Sequence, residues 1–181
     1  RCVGAKLATG ETLHADAVVF GGDVGALRSG KLGEEARAAV GPVRPANRSL
    51  SALTWCTHAE VEGWPLAHHN VVFGDDYSAE FDAIFRQRKL PTTPTVYVCA
   101  QDVGQGIQQL QGRQRLLLLV NAPADGDGRQ SKNGALHITD EEVQACETRT
   151  LQHLQRCGLS LQAGSASMVR TDPRDWEARF P

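Results

Sequence analysis

Four stretches, Ser49 to His58, His68 to Phe73, Thr95 to Gln101 and Arg115 to Asn121, carry β-branched, aromatic and aliphatic residues in short runs bounded by glycine, proline or aspartate. Residues of that kind fit a pleated, half-buried surface, and the breakers mark where the chain turns. The chain is thereby committed to a sheet, antiparallel or mixed, and helices are expected beside it. Ser78 can cap a helix running to about Lys89, with Phe81, Ile84 and Phe85 on one stripe and Pro91 closing its exit. Thr139 and Glu142 have capping-box spacing, and Val143, Cys146, Thr150, Leu154 and Cys157 then recur every three or four residues until Gly158 can end the helix. Asp172-Pro173 to Phe180 reads as one more short helix. The class expected is α+β: a mixed, mainly antiparallel sheet flanked by helices.

Before the first of those strands the texture differs. Cys2 to Leu7 and a run from Thr12 predict a hairpin around Gly10, which can take positive φ cheaply. Asp16 leads into Ala17-Val18-Val19-Phe20, patterned as a strand buried on both faces that ends at a functional loop, Gly21-Gly22-Asp23. Leu32 to Val40 favours helix, Gly41 to Asn47 makes the best linker, and Ala124 to Gly134 is polar and glycine-rich, as a mobile loop would be. Arg1 opens directly on a valine-containing stretch, so the sequence reads as a piece of a longer chain.

Composition excludes some roles. Nineteen basic against twenty-one acidic residues leave a net charge of -2 with no basic run, so nucleic acid is not an expected partner. The apolar run Leu116 to Val120 falls far short of the roughly 20 residues a membrane-spanning helix needs. Five cysteines, an odd number without a Cys-x-x-Cys pair, fit reduced thiols.

Residue patterns with chemical potential are few. His68-His69 near Asp75-Asp76 offers metal-ligand types, but neighbouring side chains on a strand point to opposite faces. Unless the strand breaks there, both imidazoles cannot reach one ion, and no metal site is expected. Gly104-Gln105-Gly106 opens like a dinucleotide-binding turn but has Gln109 where the third glycine belongs. Ser165 and Ser167 lack the closing glycine of a nucleophile elbow. Cys56 shares a strand face with His58, and Cys99 lies within an apolar strand, where thiols commonly act as small hydrophobes. Glu34-Glu35 and Glu141-Glu142 suit first helical turns. The sheet itself, with Leu53, Trp55, Val71, Phe73, Val96, Val98 and Leu117 to Leu119, could wall a greasy cleft anchored by His68, Asn70, Gln101 and Asp102, or could be an ordinary core.

Taken in order, Ala17-Val18-Val19-Phe20 with Gly22-Asp23, Arg48-Ser49-Leu50-Ser51-Ala52-Leu53-Thr54-Trp55, His68-His69-Asn70-Val71-Val72-Phe73, Asp76-Tyr77, Glu80-Phe81-Asp82-Ala83-Ile84-Phe85, Leu90-Pro91 and Pro94 to Asp102 form a signature. It continues through Arg115 to Pro123 and Arg170-Thr171-Asp172-Pro173. The chain thereby resembles the bacterial carotenoid desaturases of the phytoene desaturase family, most closely those acting on 1-hydroxylated or 1-methoxylated acyclic carotenoids at the 3,4 bond. The family usually has Asn-Ala-Asp where this chain has Gly21-Gly22-Asp23. The resemblance implies a two-domain FAD oxidoreductase, with residues 1–24 as the edge of the flavin domain and 25–181 as substrate-binding domain. It implies Gly21, Gly22 and Asp23 near the cofactor, and Trp55, His68, Asn70, Gln101 and Asp102 near the substrate, with catalytic residues unassigned. It also implies a cytoplasmic enzyme touching the inner membrane peripherally to collect its carotenoid. The sequence contains no Gly-x-Gly-x-x-Gly, so the piece by itself is expected to be inactive, and its exposed strands could pair two copies.

Overall fold

A computed structural model of the protein describes residues 2–41, 48–104, 112–124, 138–162 and 168–180. The expected linker beyond Gly41, the Gly104-Gln105-Gly106 turn beyond Gly104, the 124–134 loop beyond Ala124, and Ser165 and Ser167 lie outside them. The chain divides into two compact units, residues 1–43 with 181, and 44–180.

In the first unit, β1 (Gly4–Lys6) and β2 (Thr12–His14) pair antiparallel as the expected hairpin, with Gly10 at φ 91°. Ala17 to Phe20 is not the buried strand its composition suggests: it forms no strand, and Val19 is 94% exposed. Burial on both faces requires strands on either side, and none of the described residues pairs with this run. Asp23 caps α1 (Val24–Arg28) by accepting the Gly25 N–H. The helix predicted over 32–40 shrinks to α2 (Glu34–Arg37), which buries no residue and so lacks the packing that stabilises short helices.

In the second unit the alternating runs pair. A long strand, β3 (Ser51–Gly63), lies beside β6 (Gln114–Ala122); β6 lies beside β5 (Val96–Ala100), and β5 beside β4 (His69–Val72). The other edge of β3 takes β7 (Leu159–Gln162) along Glu60–Gly63 and β8 (Met168–Thr171) along Thr54–Thr57. Every pairing among the described residues is antiparallel. The helix expected with Ser78 as its cap starts two residues earlier. Asp76, whose Oδ1 accepts the Ala79 N–H at 2.9 Å, caps α3 (Tyr77–Asp82), and a π-helical turn Ala83–Gln87 follows, ended by Arg88 at φ 56°. The chief helix is α4 (Asp140–Arg156), with the Thr139/Glu142 capping box formed as the sequence predicts. Its stripe Val143, Cys146, Thr150 and Leu154 is buried, whereas Cys157 at the C-cap is exposed.

Register separates the two faces of the sheet. Trp55 stands opposite Leu118, which stands opposite Val98, and Leu53 and Val96 flank Val120 in the same way. These side chains join Val143, Cys146 and Leu154 of α4 in one core cluster. Trp55 is fully buried, and its indole N–H donates to Glu147 Oε2 of α4 at 2.7 Å. Burial pushes the Cys146 thiol up to about 11, so it stays protonated and acts as a small apolar side chain.

The last helix, α5 (Pro173–Arg179), is fastened to β3 by the Trp176 indole, which donates to Ala52 O at 3.1 Å. Its cap, Asp172, is only 2% exposed. Burial raises the Asp172 pKa, but the Arg174 guanidinium and the backbone N–H groups of Arg174 and Asp175 outweigh it and hold the carboxyl below 3.8. A carboxyl depressed on folding contributes stability above its unfolded pKa and loses it as pH falls through the folded value. Asp172→Asn is therefore expected to cost about 1–2 kcal/mol at pH 7. The gap between variant and parent should close as the pH drops below about 4, read from urea midpoints across that range.

Candidate functional site: an uncovered sheet face with a polar end

While α4 covers one face, the opposite one carries His69, Cys99, Leu117, Cys56 and Val169 in one cross-strand row. Val71, Tyr97, Leu119, Thr54 and Thr171 form the next. These two rows alternate with the core positions, as period two requires. Val71 is 51% exposed and Val169 63%, with Tyr97, Leu117 and Leu119 half-buried. Each row crosses β4, β5, β6, β3 and β8, a span of about 19 Å at about 4.8 Å per strand. Cys99, Thr54 and Thr171 of these rows are buried, so the strip is open at Val71, Cys56 and Val169 and partly open along Tyr97, Leu117 and Leu119, and none of the ten is Asp, Glu, Lys or Arg.

Polar side chains gather where β5 ends. Asp102 accepts the Arg115 backbone N–H at 2.7 Å and the guanidinium through Nε at 2.8 Å and through Nη2. Hydrogen bonding from the Arg115 side chain holds the Asp102 carboxyl below the usual 3.8. Both carboxylate oxygens are thus engaged by Arg115, Oδ1 by its guanidinium and Oδ2 by its backbone N–H. His68 Nδ1 donates to Val103 O at 2.7 Å, so in the neutral ring Nε2 is the acceptor nitrogen, 3.7 Å from Cys99 Sγ. Gln101 Nε2 donates to the same sulfur at 3.3 Å. His69 Nδ1 lies 2.7 Å from the Tyr97 hydroxyl, and the two rings stack with centroids 6.0 Å apart.

The residues singled out from sequence therefore fall in three places. His68 and Gln101 meet at Cys99, and Asp102 lies beside them, neutralised by Arg115. Asn70 stands in register with Val98 on the covered side and clamps the turn before β4, accepting from Ala67 N at 2.8 Å and donating to Ala67 O and Val98 O. Trp55 belongs to the core and presents no surface to a ligand. Gly21, Gly22 and Asp23 are exposed in the other unit. Of the apolar residues proposed as a wall, Leu53, Trp55, Val96, Val98 and Leu118 are core, while Val71, Leu117 and Leu119 are on the uncovered face. The sequence reading missed Cys99, His69 and Tyr97 as members of this end.

The geometric objection to His68 and His69 sharing a ligand does not hold. Strand β4 begins only at His69, so strand alternation does not govern His68, and the two rings meet edge to face at 4.5 Å.

No family model matches the chain. Across all of it, the chain is 48% identical to a hydroxyneurosporene desaturase of Rubrivivax gelatinosus and 37% identical to one of Cereibacter sphaeroides. The chain is homologous to the bacterial carotenoid desaturases. A 4,4'-diapolycopene oxygenase of Methylomonas sp. is similar at 30% identity over 99% of the chain. The chain spans about a third of the length of these curated relatives: 33% and 34% of the two desaturases and 35% of the oxygenase. No helix among the described residues is long and apolar enough to cross a membrane.

Proposed function

We propose that the chain is the substrate-binding portion of an FAD-dependent carotenoid desaturase that introduces the 3,4 double bond into acyclic 1-hydroxy or 1-methoxy carotenoids. The observation that carries this reading is the uncovered strip around Val71, Leu117 and Leu119 in a chain 48% identical to a hydroxyneurosporene desaturase. A polyene offers few hydrogen-bonding handles, so its affinity must come from apolar area removed from water, at roughly 25 cal/mol per Å². Two adjoining rows without Asp, Glu, Lys or Arg suit that requirement.

Flavin, when bound, would accept hydride from the carotenoid. The described residues do not form a cradle for it. Gly21 and Gly22 are exposed, and the Asp23 carboxylate is engaged in capping α1. Residues 1–24 would be the edge of the flavin domain, with Gly21, Gly22 and Asp23 near the cofactor, and residues 25–181 the substrate-binding domain. His68 and Gln101 would orient the more polar part of the substrate, with Asp102 and Arg115 as a neutral ion pair beneath. Asn70 and Trp55 would hold the wall in place from its covered side. The complete protein would collect its substrate at the inner membrane from the cytoplasmic side, and outer strand β4 offers an edge for pairing two copies of the piece.

The test is the complete protein with FAD and a 1-hydroxycarotenoid. Desaturation lengthens the conjugated system, so the absorption maximum should move to longer wavelength. An unchanged spectrum with every acyclic carotenoid tried would reject the reading.

A further inference from the structure

We propose that His68, His69 and Cys99 form a binding site for a divalent transition metal ion of zinc type, independent of the carotenoid reading. One ligand atom from each residue lies within 4.8 Å of the other two. Tetrahedral zinc with bonds of about 2.05 Å to nitrogen and 2.3 Å to sulfur separates a nitrogen from a sulfur by about 3.6 Å. His68 Nε2 and Cys99 Sγ stand 3.7 Å apart, at that spacing before any ion is placed.

The surroundings are those of a ligand set. The Val103 carbonyl can only accept, so it fixes the proton of His68 on Nδ1 and aims the Nε2 lone pair at the sulfur. A histidine ligand held this way through its other nitrogen is the usual outer arrangement of a zinc site. Gln101 donates to Cys99 Sγ at 3.3 Å and holds the sulfur in place beside His68. Binding would replace the thiol proton by the ion and release that proton to solvent. Cys99 is 5% exposed, while both imidazoles face solvent. The ion therefore has a path in, a buried sulfur anchor and a fourth position for water. His69 supplies the remaining adjustment by side-chain rotation, since it stands at the start of the outermost strand. Imidazole with thiolate selects zinc over magnesium or calcium, which prefer oxygen.

The experiment strips the protein with a chelator and titrates it with Co2+ and then Zn2+. One equivalent of Co2+ should produce visible ligand-field bands and a near-ultraviolet thiolate-to-cobalt band, both removed by Zn2+. Cys99→Ser should abolish the thiolate band. Cys56→Ser and Cys157→Ser, which alter exposed thiols, should leave it intact. His68→Gln and His69→Gln should each weaken Zn2+, measured against a chromophoric chelator, by more than the roughly tenfold typical of losing an outer partner. His69→Gln changes an exposed side chain and keeps the fold, so its result stands even if Cys99→Ser does not fold. Absence of the thiolate band, its survival in folded Cys99→Ser, or unchanged Zn2+ affinity in His69→Gln would each overturn the proposal. None of these readouts involves carotenoid turnover.

Discussion

Trp55→Ala should destabilise the sheet unit by about 3–5 kcal/mol, the range for removing a large aromatic from a packed core. Trp55 has no exposed surface, lies against α4 and gives its indole N–H to Glu147. Deleting it opens a cavity between sheet and helix and leaves a half-buried carboxylate without its donor. Trp55→Phe separates the two effects: most of the packing remains, and the expected loss falls to about 1–3 kcal/mol from the missing hydrogen bond and partial cavity. Denaturant unfolding followed by far-ultraviolet circular dichroism measures both. A loss below about 1 kcal/mol for the alanine variant would contradict the placement, because surface changes are confined to that range.

That placement illustrates how far the sequence could be read. The four alternating runs became β3, β4, β5 and β6 because their pattern is local and each is long enough to express it. Thr139 and Glu142 were legible for the same reason, since a capping box spans only four residues. Strands β7 and β8 were not legible. Leu159–Gln162 and Met168–Thr171 are four residues each and become strands only because the long β3 extends past β6 and offers them an edge. Ala17–Phe20 failed in the opposite direction: its composition is that of a buried strand, but hydrogen-bonding neighbours are a tertiary property that no window of sequence contains.

Face assignment shows the same boundary. Alternation states that Leu118 differs from Leu117 and Leu119, but which set faces α4 depends on register, fixed by pairings such as Trp55 with Leu118. The polar end was hidden more deeply. His69 and Cys99 are thirty positions apart and become neighbours only through the β4–β5 register, while His68 reaches the same sulfur because the strand starts one residue after it.

A charge placed on the uncovered face separates a substrate wall from an idle surface. Val71→Asp changes a side chain already 51% exposed on outermost strand β4, so its effect on folding should stay below about 1 kcal/mol. Against a polyene the same carboxylate would lose its water without gaining a partner, at roughly 1–3 kcal/mol in protein contexts, in addition to the lost apolar contact. A combined penalty near 3 kcal/mol corresponds to about a hundredfold fall in kcat/KM for the complete protein. Val71→Leu retains the apolar contact and should keep turnover within a few fold. Val169→Asp, at the far end of the neighbouring row on β8 and 63% exposed, tests whether the strip is used along its length. If both aspartate variants fold normally and turn over carotenoid at the parental rate, the polyene does not lie on this face. If Val71→Asp alone is impaired, the substrate crosses only the β4 side, close to His68 and Gln101.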